Sequence, residues 1–266
     1  MRSPLINVMV KAVIKAARSV QRDFGEVENL QVSKKGPADF VTQADLKAER
    51  KLREELQQSR PEIGFLLEES AKAGEKIGEH AVWVGDPLDG TTNFLHGLPH
   101  WAVSLALVER GEPTAAVIYD PIKEELFFAE RGKGAYLNDR RLRVSGRRRL
   151  EESVLATGIP FKGAKDHDRF LGELERVMAE TAGVRRWGAA SLDLAYVAAG
   201  RYDGFWERDL MPWDVAAGVL LVREAGGFVS AIDGRAFRLE GDSILATNAE
   251  INLVLRKLLS RKEKSA

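Results

Sequence analysis

Cysteine is missing from the 266 residues, which excludes a disulfide, a thiolate metal site and a cysteine nucleophile for this chain. Histidine is scarce. His80, His96, His100 and His167 show no metal-ligand spacing, so zinc is not expected and each reads as a loop or core residue. Net charge is missing too: forty basic residues balance forty acidic ones, which argues against bulk attraction to nucleic acid or anionic lipid. No apolar run approaches the roughly 20 residues that cross a bilayer. The apolar N-terminal segment is interrupted by Lys11, Lys15 and Arg18, and its set Leu5, Met9, Val13, Ala16, Val20 and Phe24 has helical spacing rather than the form of a signal peptide. A soluble, cytoplasmic protein is the expectation, without internal repeats or long low-complexity segments.

What is present suffices for a substantial core, since 44% of the residues are hydrophobic. Two N-terminal helices precede antiparallel strands over 101–109, 114–119 and 125–129. Their turns are Arg110-Gly111-Glu112-Pro113 and Pro121-Ile122-Lys123. After a linker near 147–152, helix and strand alternate: helix 166–181, strand 184–187, helix 191–199, strand 203–207 and a helix from Trp213. Short strands near 228–231 and 243–246 follow, then a last helix over 248–259 and a frayed tail from 260. Alternation of this kind predicts a layered α/β (α+β) sandwich. We expect one domain over 1–266, with a helix-plus-antiparallel-sheet half at 1–146 and an alternating α/β half at 147–266.

The most informative segment is Trp83-Val84-Gly85-Asp86-Pro87-Leu88-Asp89-Gly90-Thr91-Thr92-Asn93. A short strand over 81–85 ends where Pro87 removes a ladder donor, and Gly90 permits a tight turn whose N–H groups face one point. Asp86 and Asp89 are hard oxygen ligands of the kind magnesium takes, and the following N–H and hydroxyl groups suit a phosphate sharing that metal. Alone, the same residues read equally as an Asp-rich turn capping a helix. Glu68 and Glu69 follow the apolar run Ile63-Gly64-Phe65-Leu66-Leu67 and should emerge at a sheet end. Asp214 precedes an apolar stretch rich in small residues, a helix packed closely on its neighbours, where it could equally be a cap.

Together, E-E-S, D-P-L-D-G-T-T-N-F and W-D-V-A-A-G with L-L-V-R-E-A-G-G downstream resemble the inositol monophosphatase family over residues 5–259. The resemblance implies alternating layers of helix and sheet, as in fructose-1,6-bisphosphatase-like folds. It also implies a magnesium-dependent, lithium-sensitive homodimeric phosphatase acting on small phosphorylated metabolites, with two or three Mg2+ ions and Mn2+ as a substitute. By the same resemblance the metal ligands fall on Glu68, Asp86, the Leu88 carbonyl, Asp89 and Asp214. The water-activating pair falls on Asp45 and Thr91, assisted by Glu68. Asp45 also suits the first turn of a helix running from Thr42 to Leu56 through its charge. Substrate contacts fall on Asp89, Gly90, Thr91, Gly188, Ala189, Ala190, Glu207 and Asp214, with Lys34 and Glu69 behind them. Ala189 stands where the family has threonine. Asp209 stands where a small residue is common, so it could reshape the pocket mouth. Lys34 lies beside Lys35, Gly36 and Pro37, which read as a mobile loop.

Inositol monophosphate is therefore the expected substrate. Histidinol phosphate, fructose 1,6-bisphosphate and a nucleotide phosphate are the alternatives for the same chemistry. A binding role toward RNA or the transcription machinery is the second class. Arg140, Arg141, Arg143, Arg147, Arg148 and Arg149 would carry it, although they read first as a solvated hairpin and linker. Trp83, Trp101, Trp187, Trp206 and Trp213 read as packing residues rather than a base-stacking platform.

Overall fold

Side chains facing one way every third or fourth residue make the N-terminus a helix, α1 (Pro4–Asp23), whose start is capped by Ser3 Oγ accepting from the Ile6 N–H at 3.2 Å. The computed structural model describes residues 2–24, 32–36, 39–72, 74–160 and 166–260, with backbone alone for 32–36 and 39–42. Met9, Val13, Ala16 and Val20 of α1 are buried against Ala44, Ala48, Leu52 and Leu56 of α2 (Gln43–Ser59).

The two helices cover one face of a seven-stranded sheet: β3 (Gly64–Leu67), β4 (Val82–Asp89), β5 (Ala102–Glu109), β6 (Glu112–Asp120), β7 (Glu125–Glu130), β8 (Gly134–Leu137) and β9 (Arg140–Arg141). Strand β3 runs parallel to β4, and each later pair is antiparallel. The two-residue period of a strand sends Val103, Leu105 and Leu107 toward α1 and α2. It sends Ala102, Ala106 and Val108 to the opposite core. That core is filled by α5 (Ala190–Ala198) and α6 (Pro212–Glu224), buried along almost their whole length. A Cβ on Gly218 of α6 would lie 2.4 Å from Leu194 Cβ of α5, so close packing explains the small residues there.

Beyond α5 and α6 lies a five-stranded sheet in the order β11 (Gly183–Arg185), β10 (Val154–Thr157), β12 (Gly204–Arg208), β14 (Ser243–Thr247), β13 (Phe228–Ser230). Ala156, Phe205 and Ala246 face α5 and α6, while Leu155, Trp206 and Leu245 face a third cluster shared with α4 (His167–Glu180) and α7 (Asn252–Leu259). The layers read helix, sheet, helix, sheet, helix, as the alternation predicts.

Four expectations need correction. Pro87 does not end its strand: β4 continues to Asp89 through a bulge. Lys34, Lys35 and Gly36 are not loop but part of β1 (Val32–Gly36), paired with β2 (Asp39–Thr42), while Pro37 lies outside the described residues. The last helix starts at Asn252, because Asn248 Oδ1 instead accepts from the Glu250 and Ile251 N–H groups in a turn. Trp187 is 51% exposed and lies against the His100 ring at 5.2 Å, unlike the buried Trp83, Trp101 and Trp206. Strand β10 was not anticipated. The expected frayed tail beyond Ser260 lies outside the described residues, and among those described no helix is long and apolar enough to cross a membrane.

Candidate active site

The bulge in β4 creates the first pair of acids. Asp86 pairs opposite Ser104 and Asp89 opposite Ala102, so β4 advances three residues while β5 advances two. Residues three apart in a regular strand face opposite ways, and one extra residue returns Asp89 to the face of Asp86. Proline is tolerated here because a bulge needs no ladder donor at that position. Asp86 Oδ1 accepts from the Leu88 N–H at 2.7 Å.

Gly90 then turns the chain with φ of 97° into α3 (Thr91–Leu95). A side chain would be strained there and would also crowd His100 O at 3.1 Å. Thr91 Oγ1 stands 3.2 Å from Asp45 Oδ1 and 3.1 Å from the Leu88 carbonyl. Asp45, in the first turn of α2, is buried.

Three other elements bring acids to the same place. Glu68 is the first residue past β3, and its N–H donates to Gly85 O at 3.2 Å, so the parallel strands β3 and β4 deliver Glu68 and Asp86 to one sheet edge. Asp214 is the third residue of α6, where Oδ2 accepts from the Met211 N–H at 2.7 Å, a capping contact that leaves it facing the other acids. Asp89 Oδ2 accepts from the Ser191 N–H at 2.8 Å and from its Oγ at 2.5 Å, tying β4 to the start of α5. Glu207 comes from β12 and accepts from the Gly158 N–H.

Burial and like charge act together on this group. Burial, then Glu68, Asp89 and Asp214, raises the Asp86 carboxyl far above its ordinary range. Asp214 is raised for the same reasons, with burial first and Glu68 and Asp89 next. Burial pushes Asp89 up to about 6, with Ser191's two donors pulling against it. Glu207 is pushed up to about 8 by burial and then by Asp89. Such a set favours hard cations, which remove the repulsion. Among the described residues, however, no three acids or histidines are drawn together as a closed ion cage. One oxygen of each of Asp86, Asp89 and Asp214 is occupied by a protein donor.

The remaining expected residues divide. Gly188 (φ 81°) and Ala190 are partly exposed, whereas the Ala189 methyl is buried in the core between the sheets. Asn93 Nδ2 holds this strip by donating to His100 O and Trp187 O, each at 2.7 Å. Glu69 is partly buried, and its N–H donates to Glu49 Oε2 at 2.8 Å. The Lys34 side chain lies outside the described residues. Asp209 is exposed with φ of 58° and lines a cavity beside Glu207.

Sequence reading missed Ser191 and Asp193. Asp193 is buried in α5 with Oδ1 unpartnered, and burial and then Glu207 raise its carboxyl well above normal. An acid inside the apolar run Leu192–Val197 was the available signal.

A sequence profile of the inositol monophosphatase family matches residues 1–263. The chain belongs to the inositol monophosphatase family. An inositol-1-monophosphatase of Rhizobium meliloti (strain 1021) is 58% identical over 260 residues, covering 98% of this chain and 97% of that protein. A Nus factor SuhB of Pseudomonas aeruginosa is 46% identical over 250 residues, 93% of this chain and 92% of its own. The crystal structure of the extragenic suppressor protein suhB of Bartonella henselae superposes with a TM-score of 0.92 at 56% identity, covering 99% of this chain and all of that one, 100%. The protein is thus a phosphoric monoester hydrolase of this family, in which magnesium dependence and lithium sensitivity are general properties.

Proposed function

We propose that the chain hydrolyses a small polyol phosphate, with myo-inositol monophosphate as substrate and inositol and phosphate as products. The observation that supports it is the meeting of Glu68, Asp86, Asp89 and Asp214, from the end of β3, from β4 and from the start of α6, with burial and then mutual repulsion raising Asp86 and Asp214. In this reading Glu68, Asp86, the Leu88 carbonyl, Asp89 and Asp214 hold two or three Mg2+ ions. When bound, magnesium supplies positive charge for the phosphoryl and leaving oxygens and acidifies a water.

The chain's own groups then have distinct tasks. Asp45 accepts the Thr91 hydroxyl proton, so that the threonine oxygen can orient and deprotonate the attacking water, with Glu68 holding that water from the other side. The N–H groups of Gly90 and Thr91 bind phosphate oxygens. Gly188, Ala190 and Glu207 meet the alcohol, with Ala189 limited to its backbone. The water oxygen bonds to phosphorus as the phosphorus–alcohol bond breaks in line, and the departing alkoxide takes up a proton.

A transcription role, as the name of the Pseudomonas relative suggests for that protein, has less support in this chain. Arg147, Arg148 and Arg149 are paired with Asp203, Glu250 and Glu151, which offsets the charge an RNA surface would need. A cytoplasmic homodimer completes the proposal.

The test is phosphate release from a panel containing myo-inositol 1-phosphate, histidinol phosphate, fructose 1,6-bisphosphate and nucleoside monophosphates, with Mg2+ or with EDTA. We expect the inositol ester to show the highest kcat/KM and EDTA to abolish release. A preference for another ester moves the assignment to that substrate, and release undiminished by EDTA rejects the metal site.

A further inference from the structure

Gly158 has no conformational reason to be glycine. It follows β10, and its φ is not in the left-handed region that disfavours other residues. Space is the reason. A Cβ built on it would stand 1.8 Å from Glu207 Oε1, 2.1 Å from Cδ and 2.4 Å from Oε2, so the carboxyl group lies where a side chain would begin. The neighbours hold that arrangement: Thr157 pairs with Trp206 in the parallel ladder between β10 and β12, and Thr157 Oγ1 donates to Trp206 O at 2.7 Å. The Gly158 N–H donates to the seated carboxylate.

This seat lies on the second sheet, across from the acids that β3, β4 and α6 supply. With phosphate held at the Gly90–Thr91 turn, a group on the opposite wall meets the alcohol. Gly158 and Glu207 both border a cavity of about 110 Å³ whose lining includes apolar Ile159, Phe170 and Leu210 and charged Glu173, Arg208 and Asp209. A carboxyl displaced from the seat therefore has somewhere to swing without disrupting the core.

We infer that Gly158 is a positioning residue for substrate choice, its missing side chain forming the socket that aims the Glu207 carboxyl at the hydroxyls of the alcohol. This rests on the reading of Glu207 as a hydroxyl-binding acid. Any residue larger than glycine at 158 turns that acid away while leaving the phosphate site intact.

The experiment compares myo-inositol 1-phosphate with ethyl phosphate, whose alcohol carries no further hydroxyl, in the full-length protein with Mg2+. Gly158→Ala is expected to raise KM for the inositol ester about tenfold while kcat/KM for ethyl phosphate stays within about twofold. Glu207→Asp draws the carboxyl back by about one C–C bond, roughly 1.5 Å. Combined with Gly158→Ala it should restore part of the lost discrimination. Equal losses on both esters, no change on either, or no recovery in the double variant would each overturn the inference. Glu207→Ala separates the two levels. If it abolishes discrimination while Gly158→Ala does not, only the socket fails; if it leaves discrimination intact, the hydroxyl-binding role of Glu207 fails with it.

Discussion

Asp203 and Asp214 share a residue type and a largely enclosed setting, yet they are surrounded in opposite ways. Asp203 accepts from Ser145 Oγ at 2.5 Å, the Val154 N–H at 2.8 Å and Arg147 Nη1 at 3.2 Å. Asn248 extends the same knot by donating to Ser145 Oγ at 2.8 Å and Arg147 O at 3.0 Å. Asp214 has one backbone donor and is pressed by Glu68, Asp89 and Glu207. A buried carboxylate given donors and a cation joins parts of a fold, while one placed among other acids strains it and is poised to take a cation. The first arrangement fastens the linker to the second sheet, and the second is the one that the proposed metal site would use.

The contrast is tested most severely by Asp214→Asn. The amide keeps an oxygen for the Met211 N–H but removes one charge and one proposed ligand, so turnover with Mg2+ should fall by about a thousandfold or more. Thermal stability in EDTA should hold or rise, since repulsion is relieved. A rate within about tenfold of wild type would dismiss Asp214 as a ligand. Asp203→Ala should do the reverse. It leaves the Val154 N–H and the Ser145 hydroxyl without their acceptor, costing about 1–3 kcal/mol in urea unfolding, while kcat of the folded protein changes less than about twofold. Loss of activity without loss of stability would erase the distinction between the two aspartates.

The smallest effect is a slope with pH in protein stripped of metal. Asp89 has its folded pKa raised from 3.8 to about 6, and Glu207 from 4.5 to about 8. A raised folded pKa means that the native state binds more protons, so the stability each group contributes is complete below its unfolded value. It is lost as pH rises through the folded value. The melting temperature in EDTA should therefore decline between about pH 5 and about pH 8, and saturating Mg2+ should flatten the decline. A melting temperature that climbs over this interval without metal would contradict the repulsion described for the cluster.

Much of this site could be read locally. Asp86, Asp89 and Gly90 fall within one short segment, Glu68 follows an apolar run, and Asp214 opens a stretch whose composition already says helix. The helix–sheet alternation of the second half gave the layers. What escaped depends on partners far along the chain. Ser191 matters because it reaches Asp89, 102 residues away, and nothing in its neighbourhood announces that. Pro87 obeys the rule that proline leaves a ladder, yet a bulge satisfies the rule without ending the strand. Val154–Thr157 is too short to declare itself a strand, and only its place between β11 and β12 makes it one. Trp187 has the composition of a core residue, but its position beside the Gly188 strip leaves half of it in water.

The extra residue at Pro87–Leu88 also fixes an arithmetic of length. Because side chains alternate from wall to wall, the three-residue spacing works only with the bulge: straightening β4 with every letter kept would turn the second acid away, while deleting the extra residue would leave two acids two apart on one wall of a regular strand. Drift at Pro87 or Leu88 can be absorbed by a bulge of the same size; a change of count by one needs the bulge to go with it. Spacing and bulge should therefore change together through descent, while the identities of the two residues inside the segment are freer.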